Sequence, residues 1–265
     1  MNTVKSDIKA FRMYGNIYFV GSTEVSVHAI DTEEGIILID TGYPSMFEQI
    51  LDSISSVGLD IKRVRAIFHS HGHYDHYGCT ARLRGLTGAK TYISKIDNEI
   101  VNGTLDLSWA TELGFERIPP FECDVLIEPS EVFTFGRTKI RCEAAPGHTD
   151  GTLAFFITVP SEDGEGEVTA AMHGGIGLGS MKREFLLSRG LSFECRDRFL
   201  EGIDRLLKEK CDLVLGNHPE QNGTVKKLAR REAGESLIDT DEWQKFLESA
   251  RRGVLNLIEK EKQNA

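Results

Sequence analysis

The amino-acid sequence predicts an α/β fold in which strands from packed β-sheets end at a common edge. Short apolar segments with strand-like composition alternate with segments of helical periodicity along the chain. Three of the predicted strands also run directly into a loop that contains histidine. Strand-to-loop junctions are where rigid scaffolds commonly hold catalytic or binding groups, so we expect these three loops to meet.

The first predicted strands lie close together and are separated by a turn or a helix. They are NIYFVG (16–21), VSVHAI (25–30), GIILIDTG (35–42) and VRAIF (64–68). The segment DTEEG between the second and third strands has the composition of a turn. Residues 45–57 have apolar side chains spaced for one helical face, and Gly58 follows where that helix would end.

The rest of the chain continues this alternation. The further predicted strands are KTYIS (90–94), VLI (125–127), EVFTF (131–135), TKIRCEAA (138–145), TLAFFITV (152–159), VTAAMH (168–173) and CDLVLG (211–216). Helices are predicted at 78–87 and 193–210, and residues 95–121 are predicted to be partly helical. We expect a single domain over 1–265, with a helical C-terminal extension over about 224–265.

Composition and charge argue against several classes of partner. The 265-residue chain has a formal net charge of −10, and an acidic surface repels phosphate backbones and anionic lipid. We therefore expect a small-molecule substrate and no nucleic-acid or membrane partner, while the oligomeric state stays open. No apolar run approaches the ~20 residues of a membrane span. The five cysteines are widely spaced, which is typical of reduced thiols in a cytosolic protein. No apolar run follows the N-terminal lysines, as it would in a secretory signal. Both observations predict a cytoplasmic location.

The segment FHSHGHYDHYG (68–78) contains four of the eight histidines in the chain. Metal binding is the usual physical reason for histidine and aspartate at such density. His71 and His73 are one residue apart, so a bent loop can direct both rings at one ion. Asp75 and His76 can hardly crowd onto the same ion, which predicts a second ion beside the first.

Each predicted ion then lacks protein ligands, and histidines at other strand ends can supply them. His148 lies in the segment PGHTDG, directly after the predicted strand TKIRCEAA. His218 lies in the segment NHPE, directly after the predicted strand CDLVLG. Both residues are therefore candidate ligands of the metal pair.

The motif H-x-H-x-D-H over residues 71–76 resembles that of the metallo-β-lactamase fold superfamily. The segments IILIDTG (36–42), PGHTDGTLAFF (146–156) and CDLVLGNHP (211–219) resemble three further elements of the same family. The resemblance thus covers about residues 16–222. It implies a four-layer αβ/βα sandwich of two packed mixed β-sheets flanked by helices, with the metals at one edge between the sheets.

The resemblance also implies a metal-dependent hydrolase. The implied ligand sets are His71, His73 and His148 for one ion and Asp75, His76 and His218 for the other. It implies two Zn(II) ions, with iron or manganese as alternatives, holding a hydroxide that cleaves an ester, lactone, thioester or amide-type bond. Asp75 would orient that hydroxide, and Asp40 would support the metal loop through hydrogen bonds.

Two departures from the family pattern bear on the substrate. Where many members carry an aspartate that bridges the metals, this chain has His173 at the end of VTAAMH. The site thereby resembles the β-lactamase subclass whose second metal takes Asp, His and His. The next segment, GGIGLG (174–179), lacks the serines that help members of that subclass hold a β-lactam carboxylate, so we expect a poor β-lactamase. His173 itself could contact metal, contact substrate or be structural.

Several other residues near these motifs have a structural and a functional interpretation. We expect His69 to support the metal loop or the core rather than to bind metal, and His28 to be a structural histidine. Trp109 and Phe115 lie in the 95–121 segment, which could form a lid or part of the core. Cys79 lies near the motif, but a thiol without an evident base is weak evidence for covalent catalysis.

Three alternatives to the hydrolase interpretation stay open at this point. The chain could be a true β-lactam hydrolase, a flavin-linked di-iron oxidoreductase, or a non-catalytic binding protein stabilised by metal. The di-iron members carry extra carboxylate ligands and a flavodoxin-like domain, and neither pattern is visible in the sequence. Degenerate, non-catalytic members usually lose ligands, whereas all six candidate ligands are present here.

Overall fold

The computed structural model describes residues 8–264 of the chain. Within this range, the strands are β1 (Phe11–Tyr14), β2 (Ile17–Phe19), β3 (His28–Thr32), β4 (Gly35–Ile39), β5 (Val64–Phe68), β6 (Lys90–Ser94), β7 (Val125–Ile127), β8 (Glu131–Phe135), β9 (Thr138–Ala144), β10 (Leu153–Pro160), β11 (Glu167–His173) and β12 (Leu213–Gly216). The α-helices are α1 (Phe47–Ser56), α2 (Tyr74–Tyr77), α3 (Thr80–Thr87), α4 (Lys95–Val101), α5 (Arg183–Arg189), α6 (Glu194–Leu206), α7 (Thr224–Glu232) and α8 (Glu242–Gln263). The start of the N-terminal segment examined for a signal sequence lies outside the described residues.

The strands form two mixed sheets. The first sheet has seven strands in the order β1-β2-β3-β4-β5-β6-β7, and the second has five in the order β12-β11-β10-β9-β8. Strands β4, β5, β6 and β7 pair in parallel. In the second sheet β9, β11 and β12 run in one direction, because β10 is antiparallel to both of its neighbours and β11 is parallel to β12. Several strands of each sheet therefore end together at one edge.

The two sheets pack face to face, and helices cover their outer faces. The side chains of β10 alternate: Leu153 and Phe155 belong to the core between the sheets, and Ala154 and Phe156 belong to the core under the helices. A strand that is buried on both faces usually has a continuous apolar sequence. The segment TLAFFITV (152–159), which contains most of β10, has such a sequence. Helices α1 and α3 cover the first sheet, and α6 and α8 cover the second. The predicted four-layer αβ/βα sandwich is confirmed.

Two local differences separate the structure from the sequence prediction. The strand expected over 25–30 begins at His28 instead, because residues 20–27 turn back through a hydrogen bond from the Ser22 amide to the Val25 carbonyl. The four-residue strand β1 and the helix α5 were not predicted. Residues 95–121 are partly helical, as predicted, because the helix α4 is followed by an irregular loop, which we call the 102–124 loop.

The C-terminal segment that was predicted as a helical extension consists of α7 and α8. Helix α8 buries Trp243, Phe246 and Leu247 in the core on the outer face of the second sheet. Helix α8 is therefore part of the outer helical layer, whereas Leu228 of α7 and the buried Leu237 pack against the core between the sheets. No helix within residues 8–264 combines the length and the apolar character needed to cross a membrane.

Substitution of Trp243 by alanine is expected to destabilise the fold by about 3–5 kcal/mol, the usual range for a buried tryptophan. Trp243 is fully buried, its Nε1 donates to the Leu206 carbonyl at 3.0 Å, and its ring contacts Phe156 edge-on. Urea unfolding followed by circular dichroism measures the loss. Leu255→Ala, at an exposed position of the same helix, is the control and should change stability by less than about 0.5 kcal/mol. Equal effects of the two substitutions would contradict this packing.

Candidate metal centre

All six predicted ligands lie in loops or short helices that follow strand ends at the common edge. His71 and His73 lie in the loop after β5, and Asp75 and His76 lie in α2, which comes next. The other two are His148, in the loop between β9 and β10, and His218, after β12. Because these strands run towards the same edge, residues far apart in the sequence meet there.

The first donor group consists of His71, His73 and His148. One ligand atom from each residue lies within 4.8 Å of the others. The ring centroids form a nearly equilateral triangle, with separations of 4.5, 4.7 and 4.6 Å. Three imidazoles that converge in this way can bind one metal ion and leave a fourth position open.

The second donor group consists of Asp75, His76 and His218, whose ligand atoms also lie within 4.8 Å of one another. Asp75 Oδ2 is 3.3 Å from His76 Nε2 and 3.6 Å from His218 Nε2. The two groups adjoin, because the rings of His71 and His76 are 4.3 Å apart. The structure thus brings the six side chains together in the two sets that the resemblance implied.

In four of the five histidines in these groups, Nδ1 lies within hydrogen-bond distance of an oxygen atom. The contacts are His71 to Ser70 Oγ (3.0 Å), His76 to Asp40 Oδ2 (2.8 Å), His148 to the Gly177 carbonyl (2.8 Å) and His218 to the Glu24 carbonyl (2.6 Å). An oxygen acceptor at Nδ1 fixes the proton there, so Nε2 carries the lone pair. Within residues 8–264, the buried Nε2 atoms of His71 and His76 have no hydrogen-bond partner.

The electrostatics of both groups fit a divalent cation. Burial, followed by the neighbouring histidines, lowers the pKa of His71 and His73 well below the usual value, so both are neutral and can bind metal. Burial also lowers the pKa of His76, but the carboxylates of Asp75 and Asp40 outweigh it and raise that pKa. The second group therefore favours a positive charge, and its donors are those that zinc prefers.

Asp40 supports the metal loop, as the resemblance implied. Its Oδ1 accepts the Ser70 amide at 2.7 Å, and its Oδ2 accepts both the Ser70 hydroxyl and His76 Nδ1. The residue is buried and has a φ of 61°. Aspartate is one of the few residues that tolerate this left-handed region, and such strained positions cluster at functional sites.

Asp97 is a second buried carboxylate that organises the site. Its Oδ2 accepts the Gly72 amide at 2.7 Å and the Thr149 hydroxyl at 2.6 Å, and its Oδ1 accepts the Gly151 amide at 2.9 Å. It therefore ties the loop of His71 and His73 to the loop of His148. Sequence reasoning missed this residue, because Asp97 follows Ser94 in an S-x-x-D pattern that is typical of an ordinary helix start.

The glycine-rich segment GGIGLG (174–179) packs against His148. A Cβ atom at Gly175 would lie 2.4 Å from His148 Cδ2, so only glycine allows the ring to sit there. Ser180 follows directly, and its hydroxyl donates to the His148 carbonyl at 2.6 Å. The segment therefore holds a candidate ligand, and this explains its composition without a phosphate cradle.

His69 and His28 belong to neither donor group. The ring nitrogens of His69 lie 3.0 Å from the Tyr92 carbonyl and 2.7 Å from the Thr80 hydroxyl, so both are satisfied inside the protein. His28 Nε2 lies 3.1 Å from the Gly216 carbonyl, which links β3 to the end of β12. Burial lowers the pKa of His28 to about 4, and the ring is neutral. Both residues take the structural positions that the sequence predicted.

His173 is also outside both donor groups. Its Nδ1 accepts the Gly175 amide at 3.2 Å, and its ring packs 5.7 Å from that of Phe199. Burial, with the nearby His148, lowers its pKa to about 3. These contacts favour the structural interpretation among the three that the sequence left open.

The 102–124 loop lies against the candidate centre. The Trp109 ring lies 5.8 Å from His73 and 5.0 Å from Phe185 of α5. Arg189 of α5 pairs with Asp106 and Glu112, which fastens the loop to that helix. The Phe115 ring stacks on Tyr74 at 5.3 Å but is 44% exposed. This loop therefore covers one side of the site.

Comparison with known proteins places this site in a family. The model of the metallo-beta-lactamase superfamily matches residues 20–160, more than half of the chain. The chain belongs to this superfamily. The matched range contains five of the six candidate ligands; His218 lies beyond it.

Solved structures of the superfamily have the same fold. BJP-1, a subclass B3 metallo-beta-lactamase of Bradyrhizobium japonicum, is 24% identical with a TM-score of 0.85, over 99% of this chain and 98% of that one. The native FEZ-1 metallo-beta-lactamase from Legionella gormanii is 22% identical with a TM-score of 0.85, over 97% and 98% of the two chains. At this level of identity, the likeness concerns the fold.

Curated relatives match over part of their length. An uncharacterized protein of Aquifex aeolicus (strain VF5) is 27% identical over 139 residues, which are 52% of this chain and 62% of the relative. The uncharacterized protein YobT of Bacillus subtilis (strain 168) is 25% identical over 148 residues, which are 53% of this chain and 60% of the relative. The matches thus span about three fifths of each relative.

Removal of bound metal is expected to lower the melting temperature, because the donors lose the cation that they face. Addition of zinc at one hundred times its Kd should restore about 2.7 kcal/mol of stability. Differential scanning calorimetry before and after dialysis against a chelator, and again after zinc addition, measures both changes. A melting temperature that responds to neither treatment would contradict a metal site.

Replacement of Asp97 by asparagine is expected to weaken metal binding and to destabilise the fold by about 1–3 kcal/mol. The carboxylate accepts three hydrogen bonds, whereas an amide would turn an NH₂ group towards at least one of the donors. Zinc titration calorimetry and urea unfolding test the two effects. Asp150→Asn, an exposed aspartate in the His148 loop, is the control and should leave the zinc affinity unchanged. Unaltered zinc affinity in Asp97→Asn would contradict the positioning role.

Proposed function

We propose that the protein is a metal-dependent hydrolase that binds two Zn(II) ions and cleaves an ester, lactone, thioester or amide-type bond in a small molecule. The observation that carries this proposal is the pair of adjoining donor groups, in which four histidines are held from behind by oxygen acceptors. Membership of the superfamily and the shared fold support the hydrolase class.

The ligand assignment follows the two donor groups. The first zinc is bound by His71, His73 and His148, and the second by Asp75, His76 and His218. The described residues of the two groups include one carboxylate only, which supports a pair of metals without a carboxylate bridge. Iron and manganese are the alternatives, since both accept imidazole and carboxylate ligands.

The chain's own residues have defined roles in such a reaction. When bound, a pair of divalent metals supplies a water of lowered pKa and polarises the scissile bond. Asp75 faces His76 and His218 with one carboxylate oxygen, and its other oxygen can accept a hydrogen bond from the water and orient it. Trp109 and the rest of the 102–124 loop limit the access of bulk water on one side.

A side-chain nucleophile is not needed for this chemistry. Cys79 is the cysteine nearest the motif, and its thiol donates to the Tyr43 carbonyl at 2.9 Å. Burial raises the pKa of this thiol to about 12, so it stays protonated at neutral pH. A buried, protonated thiol is a poor nucleophile.

Hydrolysis of β-lactams is the second candidate, because the similar solved structures include subclass B3 metallo-beta-lactamases. Two observations disfavour it. The segment 174–179 packs against His148 rather than presenting serines, and the hydroxyl of Ser180 is already engaged by the His148 carbonyl. A kcat/KM near 10⁶ M⁻¹s⁻¹ on penicillins or carbapenems, inside the usual enzyme range of about 10⁴–10⁸, would establish this second function.

A cytoplasmic location and a small-molecule substrate, without nucleic-acid or membrane partners, complete the proposal. The five cysteines are free and buried, which suits a reducing compartment. The net charge of −10 disfavours polyanionic partners. Fractionation of cells that express the protein tests the location.

Replacement of Asp75 by alanine is expected to lower kcat on any accepted substrate by about 10²–10⁴-fold, the usual range for a residue that handles the proton of the attacking group. Steady-state kinetics of the zinc-loaded enzyme on a panel of esters, lactones, thioesters and lactams measures the effect. Elemental analysis of the same samples should approach two zinc equivalents in the unmodified protein and fewer in the variant.

Asp52→Ala, an exposed aspartate on α1, is the matched control and should keep the original kcat. Circular dichroism checks that both variants fold. Unchanged turnover in Asp75→Ala would show that the assigned role is wrong. A zinc content fixed at one equivalent in the unmodified protein would contradict the second metal.

A further inference from the structure

A cavity of about 260 Å³ opens directly beside the candidate metal centre. His73 and His148 form one end of it, so a molecule in the cavity reaches the first donor group. Most of the remaining wall is apolar and comes from α4, the 102–124 loop and the α5–α6 segment. The apolar side chains of this wall include Ile96, Ile100, Leu105, Leu107, Phe185 and Leu191.

The polar side chains in the wall are largely engaged inside the protein. The Asp97 carboxylate accepts three hydrogen bonds, one of them from the Thr149 hydroxyl. The Ser180 hydroxyl donates to the His148 carbonyl. Buried polar groups that are already paired gain little from a ligand. Recognition in this cavity therefore rests mainly on apolar contact.

The charges in the wall disfavour an anionic ligand. Among the lining residues that the structure describes, Arg198 is the single Lys or Arg side chain, and its guanidinium pairs with Asp150 at 2.6 Å. The other charged groups in the wall are the carboxylates of Asp97 and of Asp150 itself. A ligand carboxylate placed here would lose its hydration without gaining a free cation, which is costly.

We propose that this cavity binds the acyl chain of a neutral substrate, so that the protein hydrolyses medium-chain acyl esters and related thioesters. The inference rests on the proposed hydrolase function and specifies its substrate class. At about 30 Å³ for each water-sized group, the cavity holds about eight or nine such groups. A methylene is about that size, so a chain of about six to eight carbons fills the space, with the scissile carbonyl at the end formed by His73 and His148.

The first experiment measures kcat/KM of the zinc-loaded protein on 4-nitrophenyl esters from acetyl to dodecanoyl. Each methylene that enters the cavity should raise kcat/KM about fourfold, which is about 0.8 kcal/mol at 1.4 kcal/mol for each factor of ten. The rise should level off at about eight carbons, where the cavity is full. The mono-4-nitrophenyl ester of suberic acid has the octanoyl length and a terminal carboxylate, and it should react at least about tenfold more slowly than the octanoyl ester.

The second experiment changes the wall. Ile96 lines the cavity, is 52% exposed and lies in the first turn of α4, where aspartate is compatible with a helix. Ile96→Asp should lower the ratio of kcat/KM on the octanoyl ester to kcat/KM on the acetyl ester by about tenfold or more. Leu187→Asp is the matched control, because Leu187 is 58% exposed on α5 and lies outside the wall. It should leave both esters unchanged.

A binding measurement separates the cavity from the chemistry. The neutral, non-hydrolysable ketone 2-octanone should bind the unmodified protein and Leu187→Asp in calorimetry, and bind Ile96→Asp more weakly. Turnover of the esters without any dependence on chain length would overturn the acyl-chain proposal and leave the hydrolase function intact. Failure of the zinc-loaded protein to hydrolyse any ester, lactone, thioester or lactam, together with normal ketone binding, would refute the proposed function and not the cavity. Absence of ketone binding would overturn the proposal directly.

Discussion

The hydrogen bond at Nδ1 of four of the five candidate ligand histidines is the constraint on which this site depends. An acceptor for the Nδ1 proton fixes the tautomer that presents Nε2 to a cation, and three of the four acceptors come from other segments of the chain. Asp40 serves His76 directly and His71 through Ser70. His148 relies on the Gly177 carbonyl instead. The end of β4 and the segment after β11 are therefore as necessary to the centre as the histidine loop itself.

This constraint explains two features that look unrelated. Residues 20–27 turn back instead of continuing as a strand, and the turn brings the Glu24 carbonyl to His218 and the Ser26 amide to the Asn217 carbonyl. The glycines after β11 let the backbone approach the His148 ring closely enough for a carbonyl to reach Nδ1. Both departures from regular structure supply acceptors, so the irregular backbone is part of the site.

Local patterns predicted the alternation of strands and helices and the donors within residues 71–76, whereas the four-layer arrangement and the division of the six donors into two sets were implied by the resemblance to the metallo-β-lactamase superfamily. The alternation of apolar strands and helices is readable over short windows, and the spacing from His71 to His76 limits which ion each side chain can reach. The rest depends on contacts between distant segments. A carbonyl at Glu24 carries no side-chain signal, and Asp97 resembles a helix-start residue until Thr149 and Gly151 are placed beside it. The apolar cavity likewise joins α4 to α5 and α6, and α5 was itself too short to predict.

The order in which the sheets are built along the chain affects how the protein is made. Every strand of the first sheet has been synthesised by Ile127, and every strand of the second lies between Glu131 and Gly216. Domains generally fold as units, so the first sheet, whose inner face packs on the second, gains its full core only when the second has been translated. His218 follows the last strand, and a nascent chain cannot complete the second donor group until that residue has emerged. The second donor group can therefore bind a metal only late in synthesis, when α7 and α8 are the last helices still to be translated.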